Sequence, residues 1–322
     1  MLKILLIGSI SGFPWVLIGS SLSLWLKEDG LSRSTIGWAG LIFAVYAFNY
    51  LWAPLVDRVR IPFLTRKVGH RRGWIILMQI IIIFSLIAWS LMSPIENLFS
   101  IISIGLIIAI ASATQDITLD ALRIEQINEN EGKVMQAGAA ISVVGWWTGY
   151  KLGGVLSLSI ADYMQTLGFN NYWQITFLIL CIIIVLFNFL LLLINENRSA
   201  SRLETQRYND LTIEKKFGKH SVFKKPIIWI TSTVVSPIIS FFKKNGFRVA
   251  VAILSFVFLF KIGEAFLGRM SIIFYKEIGF TKSDIALYSK GLGWLTTVIF
   301  TLLGGLFAIR SGVIKAMFVS GI

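Results

Sequence analysis

The sequence predicts an all-α polytopic membrane protein, and three observations carry that prediction. Apolar residues make up 56% of the 322 positions and charged residues 15%, against about 45–50% and about 25% in a soluble domain. The apolar residues gather in long blocks, and roughly 20 such residues in a helix cross a hydrocarbon layer of about 30 Å with every backbone group bonded internally. The 30 Lys and Arg against 17 Asp and Glu give a net charge of +13. These residues lie between the blocks and form no continuous basic face, so they report on loop topology and exclude nucleic acid as a partner.

In chain order the predicted spans are 2–26, 35–56, 73–92, 98–119, 134–160, 173–194, 247–274 and 285–309. The first has the position of a secretory signal. Its length and its lack of a small-residue cleavage site favour a retained helix. Lys and Arg collect after the second span, at Arg58, Arg60, Arg66, Lys67, Arg71 and Arg72, and again between the sixth and seventh. The loops after the third and fifth spans carry none. Cytoplasmic loops hold the excess of these residues, so the N-terminus is expected in the cytoplasm. Residues 196–246 read as a cytoplasmic linker, polar at first. An apolar stretch between Pro226 and Pro237, followed by Phe241, Phe242, Lys243 and Lys244, then suggests either an interfacial helix or a hydrophobic loop under the bundle.

An internal repeat organises the rest. Lys27-Glu28-Asp29-Gly30-Leu31-Ser32-Arg33-Ser34-Thr35-Ile36 follows the first span, and Lys276-Glu277-Ile278-Gly279-Phe280-Thr281-Lys282-Ser283-Asp284-Ile285 follows the seventh. Five identities recur in register, each string on the expected outer face. A parallel repeat of a six-helix half is the economical reading. Residues 1–195 then form a six-helix N-terminal bundle and 247–322 the opening of a C-terminal one. Two full halves would need roughly 440 residues, so the C-terminal bundle reads as truncated, with 313–322 starting a ninth span.

Ionisable side chains within hydrocarbon are costly and mark pathway candidates. Asp116, Asp120 and Arg123 follow i, i+4, i+7 and share one helix face. Burial raises a carboxyl pKa and a nearby arginine lowers it, so an aspartate here could exchange protons; a structural ion pair at the cytoplasmic mouth is the plainer reading. Lys151, Lys261, Glu264 and Lys290 also fall inside spans. They line a cavity or pair with one another, and cations there would suit an anionic solute. Asn49, Tyr50 and Gln115, with Trp15, Tyr46 and Trp146, supply amide and aromatic surface suited to a sugar or peptide. Gly145, Gly149 and Gly153 recur every fourth residue, which lets helix backbones approach closely. The single Cys181 excludes a disulfide framework, and no metal site or cofactor motif is present. No enzyme motif or nucleotide-binding P-loop string occurs either. A diaspartyl hydrolase is disfavoured because Asp116 and Asp120 sit on one helix.

At several of these positions the sequence resembles the major facilitator superfamily and, within it, the AmpG-type muropeptide permeases, relatives of the acetyl-CoA transporters. The strings are Gly12-Phe13-Pro14, the run 51–58 ending in Asp57-Arg58, and Gly69-His70-Arg71-Arg72-Gly73. They continue with Ala113-Thr114-Gln115-Asp116, the run 137–143, Lys261-Ile262-Gly263-Glu264 and Lys290-Gly291-Leu292-Gly293. The resemblance implies a major facilitator fold and a multi-pass symporter of the bacterial inner membrane that imports anhydro-muropeptides with protons. It also implies that Asp57, Arg58, Arg71 and Arg72 form a gating loop between helices two and three. Another solute such as acetyl-CoA or a sugar, or a non-transporting remnant or accessory subunit, are the alternatives.

Overall fold

The computed structural model describes residues 1–127, 132–196 and 235–312, with 315, 316 and 319 beyond them; the side chains of 132, 133, 136, 236, 237, 257 and 260–269 lie outside the description. Helices form every regular element among these residues. Eight long ones are labelled here: α1 Leu2–Glu28, α2 Arg33–Leu51, α3 His70–Trp89, α4 Pro94–Glu125, α5 Gly132–Thr166, α6 Tyr172–Leu192, α7 Phe247–Glu277 and α8 Lys282–Ser311. Among the described residues, α1–α4, α6 and α8 are long and apolar enough to cross a membrane. In α7 the described apolar part is Phe247–Phe256. α5 corresponds to the predicted fifth span, but its glycines, tryptophans and Lys151 dilute its apolar character.

Several helices run past the blocks that predicted them. α4 has 32 residues and α5 has 35, about 50 Å of helix against a 30 Å hydrocarbon layer. Apolar blocks mark only the part of a helix that lies in oil, so the polar ends escaped the sequence reading. Two breaks have local causes. Pro14 deprives α1 of a backbone donor, and the helix widens into a π segment over Val16–Ser21. α2 alternates between α and 3-10 turns and ends before Pro54, which opens the short helix Ala53–Arg58.

Ser236–Asn245 form a helix, with Lys243 and Lys244 exposed and the Phe241 and Phe242 rings half-buried. The stretch before it, up to residue 234, and most of 313–322 lie outside the described residues.

The tightest packing is between α1 and α5. A Cβ on Gly145 would stand 2.3 Å from the Leu5 carbonyl oxygen, and one on Gly149 would stand 2.1 Å from that of Ser9. From the other side, a Cβ on Gly8 or Gly12 would meet the Ser142 or Trp146 carbonyl at 2.3 and 2.0 Å. Gly153 faces the Phe13 ring. The two backbones therefore touch along four glycines, Gly8, Gly12, Gly145 and Gly149. Gly149→Ala is expected to push them apart and lower stability by about 1–3 kcal/mol, read as a fall in the midpoint of thermal unfolding in detergent. A midpoint unchanged from wild type would contradict this packing.

At the Glu28 end of the bundle an aromatic core closes around Trp25, Trp89, Trp173 and Phe177, with Trp25 and Trp89 lying 5.0 and 5.2 Å from the Phe177 ring. It fixes the ends of α1, α3 and α6 and so sets the platform on which the charged groups of that end are held.

Candidate functional site

The charged groups fall into layers along α1. At its last turn the two repeated strings meet. Lys27 pairs with Glu277 at 2.9 Å, and Lys276, its counterpart 249 residues on, pairs with Glu28 at 2.9 Å. The relation extends one turn further: Arg33 donates to Glu277, and its counterpart Lys282 donates to both oxygens of Glu28 at 3.1 Å. Each copy of the string thus presents two cations to the glutamate of the other, an isologous arrangement within one chain. Gly30 and Gly279 turn the backbone at positive φ in both copies, which glycine permits without strain and which aims the strings at each other. Tyr172 and Trp173 complete the shell of Glu28 at 3.0 and 2.9 Å, and Lys282 also donates to Gln165 at 2.5 Å. With Lys282 1% exposed, this end of the bundle is closed.

About 25 Å along α1 from that ring lies a cavity of about 280 Å³ between α1, α2, α4 and α5. Asp116 and Asp120 line it together with Asn49, Ser11, Trp15 and Tyr46. Ser11 donates to Asp116 at 2.6 Å. Asp120 pairs with Arg123 at 3.1 Å and is largely exposed. The aspartates expected on one face of α4 therefore differ: Asp120 has a cation beside it and water in front, whereas Asp116 faces a hydroxyl within the bundle. Trp15, whose ring stands 4.7 Å from Phe43 and Tyr46 and 5.3 Å from Trp146, roofs the cavity.

The remaining sequence candidates are scattered. Gln115 lies one residue from Asp116 but points into the α1 contact, donating to the Ile10 carbonyl at 3.0 Å, and Tyr50 is exposed outside the cavity. Lys151 and Lys290 lie between the cavity and the ring. The side chains of Lys261 and Glu264 lie outside the described residues. At the opposite end from Glu28, the buried Arg71 reaches Asp57 and bonds Glu125 at 3.3 Å, while Arg72 donates to the Leu192 carbonyl. Arg58 closes the last turn of Ala53–Arg58 beside Asp57. Glu196 caps α3 there, accepting from the backbone N–H groups of His70 and Arg71 at 2.9 and 3.0 Å, a favourable seat for an anion at a helix N-terminus. A side chain on Gly69 would displace that carboxylate, since its Cβ would stand 2.3 Å from Glu196 Oε2.

Sequence reading missed Glu28, Lys282, Ser11, Gly8, Gly12 and Glu196. Register within the repeat pointed to the first two, and the four-residue spacing of Gly8 and Gly12 matched that of α5. Ser11 and Glu196 carried no signal, because their partners come from more than 100 residues away.

Membrane-crossing helices that meet through repeated strings at one end, around a carboxylate-lined cavity toward the other, define a secondary transporter. The sequence profile described as Major Facilitator Superfamily matches residues 4–322. The chain is 33% identical to the putative transporter AmpG 4 of Rickettsia conorii, over 100% of its own length and 70% of the relative's. It is 30% identical to the anhydromuropeptide permease of Escherichia coli K12, over 99% of its length and 57% of the relative's. An uncharacterized protein of Haemophilus influenzae is 29% identical over 98% of the chain and 66% of the relative. The chain belongs to the major facilitator superfamily and, within it, to the AmpG-type transporters.

Proposed function

We propose that the chain imports anhydro-muropeptides, the sugar-linked peptides released from cell wall, across the bacterial inner membrane, with protons as the coupling ion. The observation that carries the reading is the pairing of a membrane-depth carboxylate, Asp116, with a cavity next to it while the far end of the bundle is shut by the Glu28 and Glu277 ion pairs. In this reading the closed end faces outward and the N-terminus lies in the cytoplasm. The 1–195 bundle rocks against the helices that begin at residue 247, and 196–246 links them. The name of the Escherichia coli relative supports the solute, and the tryptophan-rich wall of the cavity fits sugar rings.

Alternating access then has a physical basis. Protonation of Asp116 removes a charge from the interior and changes which closed arrangement is the more stable. At the opposite end Asp57 and Arg71, already joined in this state, would act with Arg58 and Arg72 as the gating loop between α2 and α3. The test is uptake of labelled anhydro-muropeptide by permease-deficient cells expressing the chain. Accumulation that collapses on adding an uncoupler is expected. Membrane insertion without accumulation would overturn the reading, and accumulation of acetyl-CoA or a free sugar in its place would reassign the solute.

A further inference from the structure

Two lysines occupy the layer between the cavity and the ion-pair ring, about 12 Å along α1 from Glu28. Lys290 of α8 is 3% exposed; its Nζ donates to Ser20 Oγ at 2.7 Å and stands 4.0 Å from the Tyr150 ring. Its methylenes lie against Gly154, where a Cβ would come within 3.0 Å of Cδ. Lys151 of α5 donates to the Ser289 carbonyl at 3.1 Å, with the Trp147 ring at 5.5 Å. Each ammonium is thus held by the chain neighbours of the other. Their partners are the Ser20 hydroxyl, the Ser289 carbonyl, the Tyr150 phenol and the Trp147 ring face, and none of these is a carboxylate.

Among the described residues no carboxylate is ion-paired with either lysine. A lysine at membrane depth is costly even on the most lenient scale, and two neighbouring cations repel each other in addition. The hydroxyl, the carbonyl and the rings offset part of that cost. An anion offsets the rest, because it satisfies both charges at once. Asp116 does not serve: it lies a further 13 Å or so along α1, beyond the Trp15, Phe43 and Tyr46 rings.

We propose that Lys151 and Lys290 together bind a carboxylate of the transported solute. The assignment rests on the muropeptide reading above, since the stem peptide of such a solute ends in carboxylates. The Tyr150 and Trp147 rings flank the two ammonium groups, and the pair spans α5 and α8, which belong to different copies of the repeat. A bridging carboxylate binds the state that brings these helices together more strongly than the one that parts them. Solute binding therefore shifts the conformational equilibrium.

The experiment measures binding to the purified full chain of three probes: an anhydro-muramyl tripeptide, the same compound with its carboxyls methyl-esterified, and inorganic phosphate. The free acid is expected to bind at least about tenfold more tightly than the ester. That preference should vanish in K151Q and K290Q and survive in part in K151R and K290R. Because Lys290 is buried, the thermal midpoint of K290Q is measured alongside, and K151Q supplies the test if K290Q does not fold. Equal binding of acid and ester by wild type, or a preference unchanged in K151Q, overturns the site. Displacement of the acid by phosphate at similar concentration overturns the carboxylate assignment in favour of a phosphate. Uptake of the labelled solute without any preference for the acid leaves the transport reading standing and removes this site, whereas neither binding nor uptake removes both.

Discussion

Replacing Glu28 by Gln is expected to open the closed end of the bundle. Glu28 holds Lys276 and Lys282 at once and accepts from Tyr172 and Trp173. With Lys282 1% exposed, loss of the carboxylate leaves a buried cation beside Gln165 and the Tyr172 and Trp173 rings, with no carboxylate bonded to it. Breaking such a pair from one side costs about 3–5 kcal/mol. A tenfold change in an equilibrium is about 1.4 kcal/mol, so the open state gains about a hundredfold or more in population. Ser21, fully buried against Ser157 at 2.7 Å, reports it. In a Cys181→Ala, Ser21→Cys background, a membrane-impermeant thiol reagent should label the new cysteine much faster when Glu28→Gln is added. Glu28→Asp, which keeps the carboxylate, should hold labelling much nearer the background rate. Equal rates in Glu28→Gln and the background would show that the ring does not hold this end shut.

Asp116→Asn is expected to uncouple transport while sparing the fold. The amide oxygen still accepts from Ser11, so the 2.6 Å bond between α1 and α4 survives, but the side chain no longer binds and releases a proton. One proton moving through 100 mV carries about 2.3 kcal/mol, a concentration ratio of about fifty. In vesicles with an imposed gradient, the variant should bring labelled solute to equilibrium only and keep exchange of solute across the membrane. Asp120→Asn should act more weakly, because Asp120 is exposed and its charge is shared with Arg123. Undiminished accumulation by Asp116→Asn would move the coupling role to another group.

Both predictions depend on contacts that the sequence announces only in part. The spans are legible because about 20 consecutive residues must satisfy an oil-like solvent one by one, a constraint written locally. The repeat is legible because the two strings kept their residues in register. The exchange of partners between the strings is not legible, since nothing within Lys27-Glu28 says whether its charges bond each other or a segment 249 residues away. Similarly, the spacing of Gly145, Gly149 and Gly153 indicated a close helix contact and left its partner open. Gly8 and Gly12 of α1 supplied it. For Asp116 and Asp120, helical periodicity placed both on one face, and the cavity shows that neighbours on a face can have different surroundings: Ser11 for one, Arg123 and solvent for the other.

By itself the sequence determined that this chain lives in a membrane, where its helices lie, that it contains a repeated unit and which charges sit at membrane depth. Each follows from local free energies, the cost of a polar group in hydrocarbon and the 3.6-residue period of a helix. The tertiary structure alone decided which charges meet, that the Glu28 end is closed, that Asp116 borders a cavity while Gln115 beside it does not, and that Lys151 and Lys290 adjoin. Those outcomes depend on how helices far apart in the chain pack against each other, and the geometry of that packing is set by many side chains acting together.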